Sequence, residues 1–82
     1  MKTYIALLRG INVGGQKKMP MVEVRKMMTN IGFKDVQTYI QSGNIIYRSE
    51  SNSTIEMEGM IQGAIENTFG FDVPVLVKSV NE

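Results

Sequence analysis

The chain has 82 residues, with nine Lys or Arg against eight Asp or Glu for a net charge of +1, and it contains neither cysteine nor histidine. A chain of this length makes one small domain, burying only about 60% of the surface its unfolded form exposes, with a stability on the order of 5 kcal/mol. The missing residues exclude disulfides, thiolate nucleophiles and cysteine metal sites, along with the commonest metal ligand and general base.

The basic residues are spread along the chain, which argues against nucleic acid as a partner. Neither a secretion signal nor a long apolar run is visible, so no membrane span is expected and the cytoplasm is the expected compartment.

Thr3 to Leu8 is apolar almost throughout, as in a central strand. Alternation places Thr3, Ile5 and Leu7 on one face and Tyr4, Ala6 and Leu8 on the other. Pro20 suits the first position of a helix over 20–31, whose Val24, Met27, Met28 and Ile31 follow at the spacing of one buried stripe. Gly32 ends that helix as a left-handed cap, with Phe33 folding back on Met28.

Val36 to Ile40 and Ile45 to Arg48 are short β-branched and aromatic runs. Gln41, Ser42, Gly43 and Asn44 between them carry turn chemistry, so the pair reads as an antiparallel hairpin. Ser53 and Glu56 have capping-box spacing and open a second helix that is expected to bury Met57, Met60, Ile61, Ala64 and Ile65 and to stop at Gly70. Gly59 and Gly63 inside it either let another element approach or are simply tolerated, each at a cost of about 1 kcal/mol against alanine. Val73 to Lys78 is the last strand, with Pro74 confined to its start or to a sheet edge.

The order β, α, β, β, α, β with right-handed crossovers predicts an α+β fold of the ferredoxin-like kind: a four-stranded antiparallel sheet with both helices on one face, over residues 1–78. Ser79 and Glu82 repeat the capping-box spacing, so residues 79–82 read as the start of a helix leading into a further, missing subdomain. The face away from the helices carries large apolar groups in either register. It calls for a cover, either a missing carboxy-terminal subdomain of the same chain or a second copy.

Three segments of the sequence carry a resemblance: 4–15 (Tyr-Ile-Ala-Leu-Leu-Arg-Gly-Ile-Asn-Val-Gly-Gly), 38–44 (Thr-Tyr-Ile-Gln-Ser-Gly-Asn) and 69–75 (Phe-Gly-Phe-Asp-Val-Pro-Val). On these the chain resembles a bacterial family of unknown function, DUF1697. The resemblance implies chains about twice this long, built from two α+β subdomains, of which this is the amino-terminal half. It implies no activity, substrate or cofactor.

The loop between the first strand and the first helix is the candidate site. Gly10, Gly14 and Gly15 accept positive φ and expose backbone amides; Arg9, Lys17 and Lys18 add charge ahead of a helix amino terminus, and Asn12 adds a polar side chain. These are the ingredients of a phosphate or carboxylate site. They do not make a nucleotide P-loop, because Gln16 stands where that motif needs lysine and an antiparallel sheet is the wrong setting.

In the expected topology the second strand runs parallel to the first, so its exit, Gln41 to Asn44, shares a rim with the Arg9 to Lys18 loop. Ser42 has no base to activate it and reads as a turn former. Tyr4 and Tyr47 lie on the first and third strands, where RNA-binding sheets of this topology carry aromatics, although Ile45 and Ile46 break that pattern. No acid, base or metal cluster is visible, so no cofactor is assigned and enzymatic activity stays open. The expectation is a small-anion-binding subdomain on the Arg9–Lys18 rim, with a structural docking role for the open sheet as the alternative.

Overall fold

The computed structural model describes residues 1–10, 19–39 and 43–80. Within them the chain forms β1 (Lys2–Leu8), α1 (Met21–Asn30), β2 (Lys34–Tyr39), β3 (Asn44–Ser49), α2 (Thr54–Phe69) and β4 (Val75–Ser79). The strands make one sheet in the order β2-β3-β1-β4, every neighbour antiparallel. This is the ferredoxin-like plait that the element order predicts.

Alternation along the two central strands sorts the sheet into faces. Tyr4, Ala6 and Leu8 of β1, with Ile45 and Tyr47 of β3 and Val77 of β4, are buried in one core with both helices. From α1 that core takes Met21, Val24, Met27 and Met28, and from α2 it takes Met57, Ile61 and Ile65. The register pairs Tyr4 with Tyr47 and Ala6 with Ile45 on this face. The small Ala6, fully buried at the centre, lets the helices sit close to the sheet, while the aromatics fill one end. There Phe33 and Tyr47 have ring centroids 4.4 Å apart, and Tyr4 and Tyr47 5.9 Å.

Helix ends follow local chemistry. Phe33 N–H donates to Met28 O and Gly32 N–H to Thr29 O, with Gly32 at φ +104, which is the Schellman arrangement that residues 28–33 predict. Pro20 is the N-cap of α1, one position earlier than expected. Ser53 caps α2, its Oγ accepting from Glu56 N–H at 3.2 Å. The reciprocal half of the capping box is replaced: Ser53 N–H donates to Ser51 Oγ at 3.3 Å.

Two expectations need correction. Met60 is 38% exposed, because the buried stripe of α2 is the narrow Met57, Ile61, Ile65 row, which leaves Met60 on its flank and Ala64 only partly covered. The last strand starts at Val75 rather than Val73: Val73 is buried in the loop before it, and Pro74 immediately precedes the edge strand. Of the two readings of the α2 glycines, tolerance is the one that fits: among the described residues a Cβ at Gly59 or Gly63 would meet nothing within 4 Å. Ser79 ends β4 and Val80 N–H donates to Thr3 O; the rest of the predicted last cap, Asn81 and Glu82, lies outside the described residues.

Candidate functional site

At the exit of β1 three segments converge. Leu8 N–H donates to Gly43 O at 2.9 Å, tying the strand to the β2–β3 turn, and Arg9 N–H donates to Pro74 O at 3.3 Å, tying it to the loop ahead of β4. Beyond them Arg9 and Gly10 are exposed, while Gly43 is buried at the foot of the turn. Gly10 has φ +74 and Gly43 φ +67, backbone geometry that side chains resist, so both glycines are required by the path of the chain around this rim. Asn44 begins β3 opposite Leu7. Met19 is buried in the core one residue ahead of the α1 cap.

Four of the residues proposed from sequence are therefore placed: Arg9 and Gly10 on one strand exit, Gly43 and Asn44 on the adjacent turn. Asn12, Gly14, Gly15, Lys17 and Lys18 of the loop, and Gln41 and Ser42 of the turn, lie outside the described residues. The Pro74 carbonyl has no signal in the sequence as a rim group. It arrives there only because β4 pairs with β1, a contact between segments 65 positions apart. The amides of Leu8 and Arg9 are already spent on carbonyls within the fold, so any anion on this rim draws on the Arg9 guanidinium and on donors further along the loop.

The tyrosines are not surface platforms. Tyr4 and Tyr47 face the helices and are buried, Tyr4 Oη donating to Ser51 O at 2.7 Å and Tyr47 Oη to Met57 Sδ at 3.5 Å. Burial drives the Tyr47 phenol far above the usual tyrosine range, with the charges of Tyr4 and Glu58 adding to the shift. Rings held in this way cannot stack on bases.

A cleft of about 300 Å³ opens at the opposite end of the sheet, bordered by Met1, Phe33, Lys34, Glu50, Glu56 and Met60. None of the rim residues borders it, and its charges are of mixed sign. Among the described residues no group of three acidic, histidine or cysteine side chains could hold a metal ion, and no helix is long and apolar enough to cross a membrane.

Among the described residues no element covers the other face of the sheet. Thr3, Ile5 and Leu7 alternate with the buried residues of β1, and the register sets Ile5 beside Ile46 and Lys78, and Leu7 beside Leu76. Leu76 is 41% exposed, while Ile5, Leu7 and Ile46 are partly so. Arg48 and Lys34 pair at one end of this face, with Arg48 3.6 Å from Asp35 in an exposed ion pair.

No curated protein matches the chain. Among solved structures it is similar to the conserved bacterial protein SP0830 from Streptococcus pneumoniae, at 35% identity and a TM-score of 0.81 over 95% of this chain. The match spans 43% of the pneumococcal chain, so this chain covers less than half the length of that protein. The profile of one family, described as protein of unknown function, matches residues 1–82 from end to end; the chain belongs to the DUF1697 family.

Proposed function

We propose that this unit serves as a docking module whose open sheet face is covered by a second α/β unit, supplied by the additional length found in a chain such as the pneumococcal relative. The observation that supports this is the contiguous row of Ile5, Leu7, Ile46 and Leu76 on a face that no element of the described chain covers. Apolar groups so arranged gain about 25 cal/mol for each Å² removed from water, and a contiguous patch marks a surface that meets another.

Charge selects the occupant. Among the described residues the face carries Lys78, Arg48 and Lys34 against the carboxylate of Asp35, so two copies placed face to face bring like charges together, whereas a surface with an apolar centre and an acidic border complements it. The test is a family-length protein carrying Ile46→Lys and Leu76→Asp, compared with the parent by limited proteolysis between the two units and by amide NMR. Separation of the units with this sheet still folded is the expected result. Unchanged protection across the face sinks the reading.

A second reading, a small-anion site on the Arg9 to Lys18 rim, is favoured by the bonds that draw the β1 exit, the β2–β3 turn and Pro74 together. On this reading Arg9 and the glycine-rich amides hold a phosphate or carboxylate. Titration with inorganic phosphate should shift amides from Arg9 to Lys18 and from Gln41 to Asn44, and Arg9→Ala should weaken the response about tenfold, the worth of one charge-assisted hydrogen bond. An absence of shifts with phosphate, carboxylates and nucleotides removes it.

A further inference from the structure

The sheet has two edges, and the β4 edge is closed by a side chain from above. Val80 N–H donates to Thr3 O and Arg9 N–H to Pro74 O. Antiparallel alternation therefore turns residues 76 and 78 of β4 toward β1 and leaves Val75, Val77 and Ser79 with N–H and C=O groups pointing away from the sheet. Such a row is a template for another strand. At its middle the Val77 N–H is already taken, donating to Glu58 Oε2 at 2.8 Å in a half-buried bond.

Glu58 lies on α2, whose buried Met57, Ile61 and Ile65 seat the helix over the sheet. Its position one residue past Met57 lets the carboxylate reach around the edge. The opposite edge is guarded differently. β2 has an irregular register between Lys34 and Gln37, and Asp35 there takes φ 50, a bulge that spoils a straight row of donors.

We infer that Glu58 is an edge guard, and that its removal exposes β4 as a strand-pairing surface for a second copy of this chain. The outward groups are symmetric about Val77. A second β4 laid antiparallel places Val77 opposite the second copy's Val77, and Val75 opposite the second copy's Ser79, each pair exchanging N–H and C=O bonds. The guard holds the centre of that row, so a strand arriving at the edge meets an occupied donor and an added negative charge. Closing both edges directs association to the open face.

Glu58→Ala and Glu58→Gln separate this from a merely local role. Alanine favours the helix, so the fold is retained, and a thermal melt of each variant checks this. The Gln carboxamide oxygen still accepts from Val77, so that variant keeps the exchange rate of the Val77 amide and the association state of the parent. In the Ala variant the Val77 amide exchanges about tenfold faster at low concentration, the loss of one hydrogen bond to a charged acceptor. With rising concentration, sedimentation velocity shows one further step of association over the parent, and protection returns at Val75, Val77 and Ser79. Unchanged Val77 exchange in Glu58→Ala, or sedimentation identical to the parent at every concentration, overturns the inference. Equal pairing by Glu58→Gln overturns the hydrogen-bond account of it.

Discussion

The two faces of this sheet are built from nearly the same residue types, yet one is a core and the other is a surface. On β1, Tyr4, Ala6 and Leu8 lie under the helices while Thr3, Ile5 and Leu7 lie open. The covered face differs in carrying a small residue at its centre and aromatics at one end. Ala6, the small residue, shares one buried core with Val24 of α1 and Ile61 of α2, and the Tyr4 and Tyr47 hydroxyls find Ser51 O and Met57 Sδ. The open face has Ile5 and Leu7 at its centre and Lys78, Arg48 and Lys34 around it, groups that a close-packed helix could not cover without stranding a charge. Hydrophobicity alone does not choose the face; shape at the centre and charge at the margin do.

Adjacent residues of one strand test this contrast most strongly. Leu8→Ala removes a buried side chain and should lower stability by about 2–5 kcal/mol. Leu7→Ala next to it, on the open face, should cost under about 1 kcal/mol in this chain. Urea midpoints of the two variants measure the difference, and equal losses would mean that the open face is covered in solution.

Alkaline pH probes the covered face through Tyr47. The folded state holds its phenol protonated well beyond the usual value near 10, whereas the unfolded chain ionises there. Stability is therefore full below about pH 10 and is lost as pH rises from there toward the raised folded value. Spectrophotometric titration should show the Tyr47 phenol resisting ionisation until the protein unfolds. Tyr47→Phe removes that resistance and flattens this part of the stability curve.

Smaller, and opposite in sign, is the effect of filling the exposed side of α2. Gly59→Ala and Gly63→Ala meet open space and should each raise stability by about 1 kcal/mol, read from thermal melts. A loss at either position would show that the backbone there is approached by something outside this chain.

The secondary elements were legible because their signals are local. The Ser53 hydroxyl three residues before the Glu56 amide, the Gly32–Phe33 pair folding on Met28, and the alternation of β1 each depend on residues a few positions apart. The plait follows from their order, since right-handed crossovers leave few alternatives. That order also predicts the neighbourhood of Arg9, Gly10, Gly43 and Asn44, which the Leu8–Gly43 bond shows. What the residue pattern misjudged was the width of a buried stripe: Met60 fits helical periodicity as well as Ile61 does, and only the placement of α2 over the sheet leaves it on the flank.

The order of the elements, the Ser53 and Gly32 caps and the plait were thus readable from residues alone, because propensity, capping and alternation act within a few residues. Tertiary structure alone decided which face of β1 became the core, that Pro74 O meets the rim, and that Glu58 caps Val77. Each of these depends on where segments far apart in the chain come to rest. No local pattern encodes that, because the free energy that selects it belongs to the packed whole.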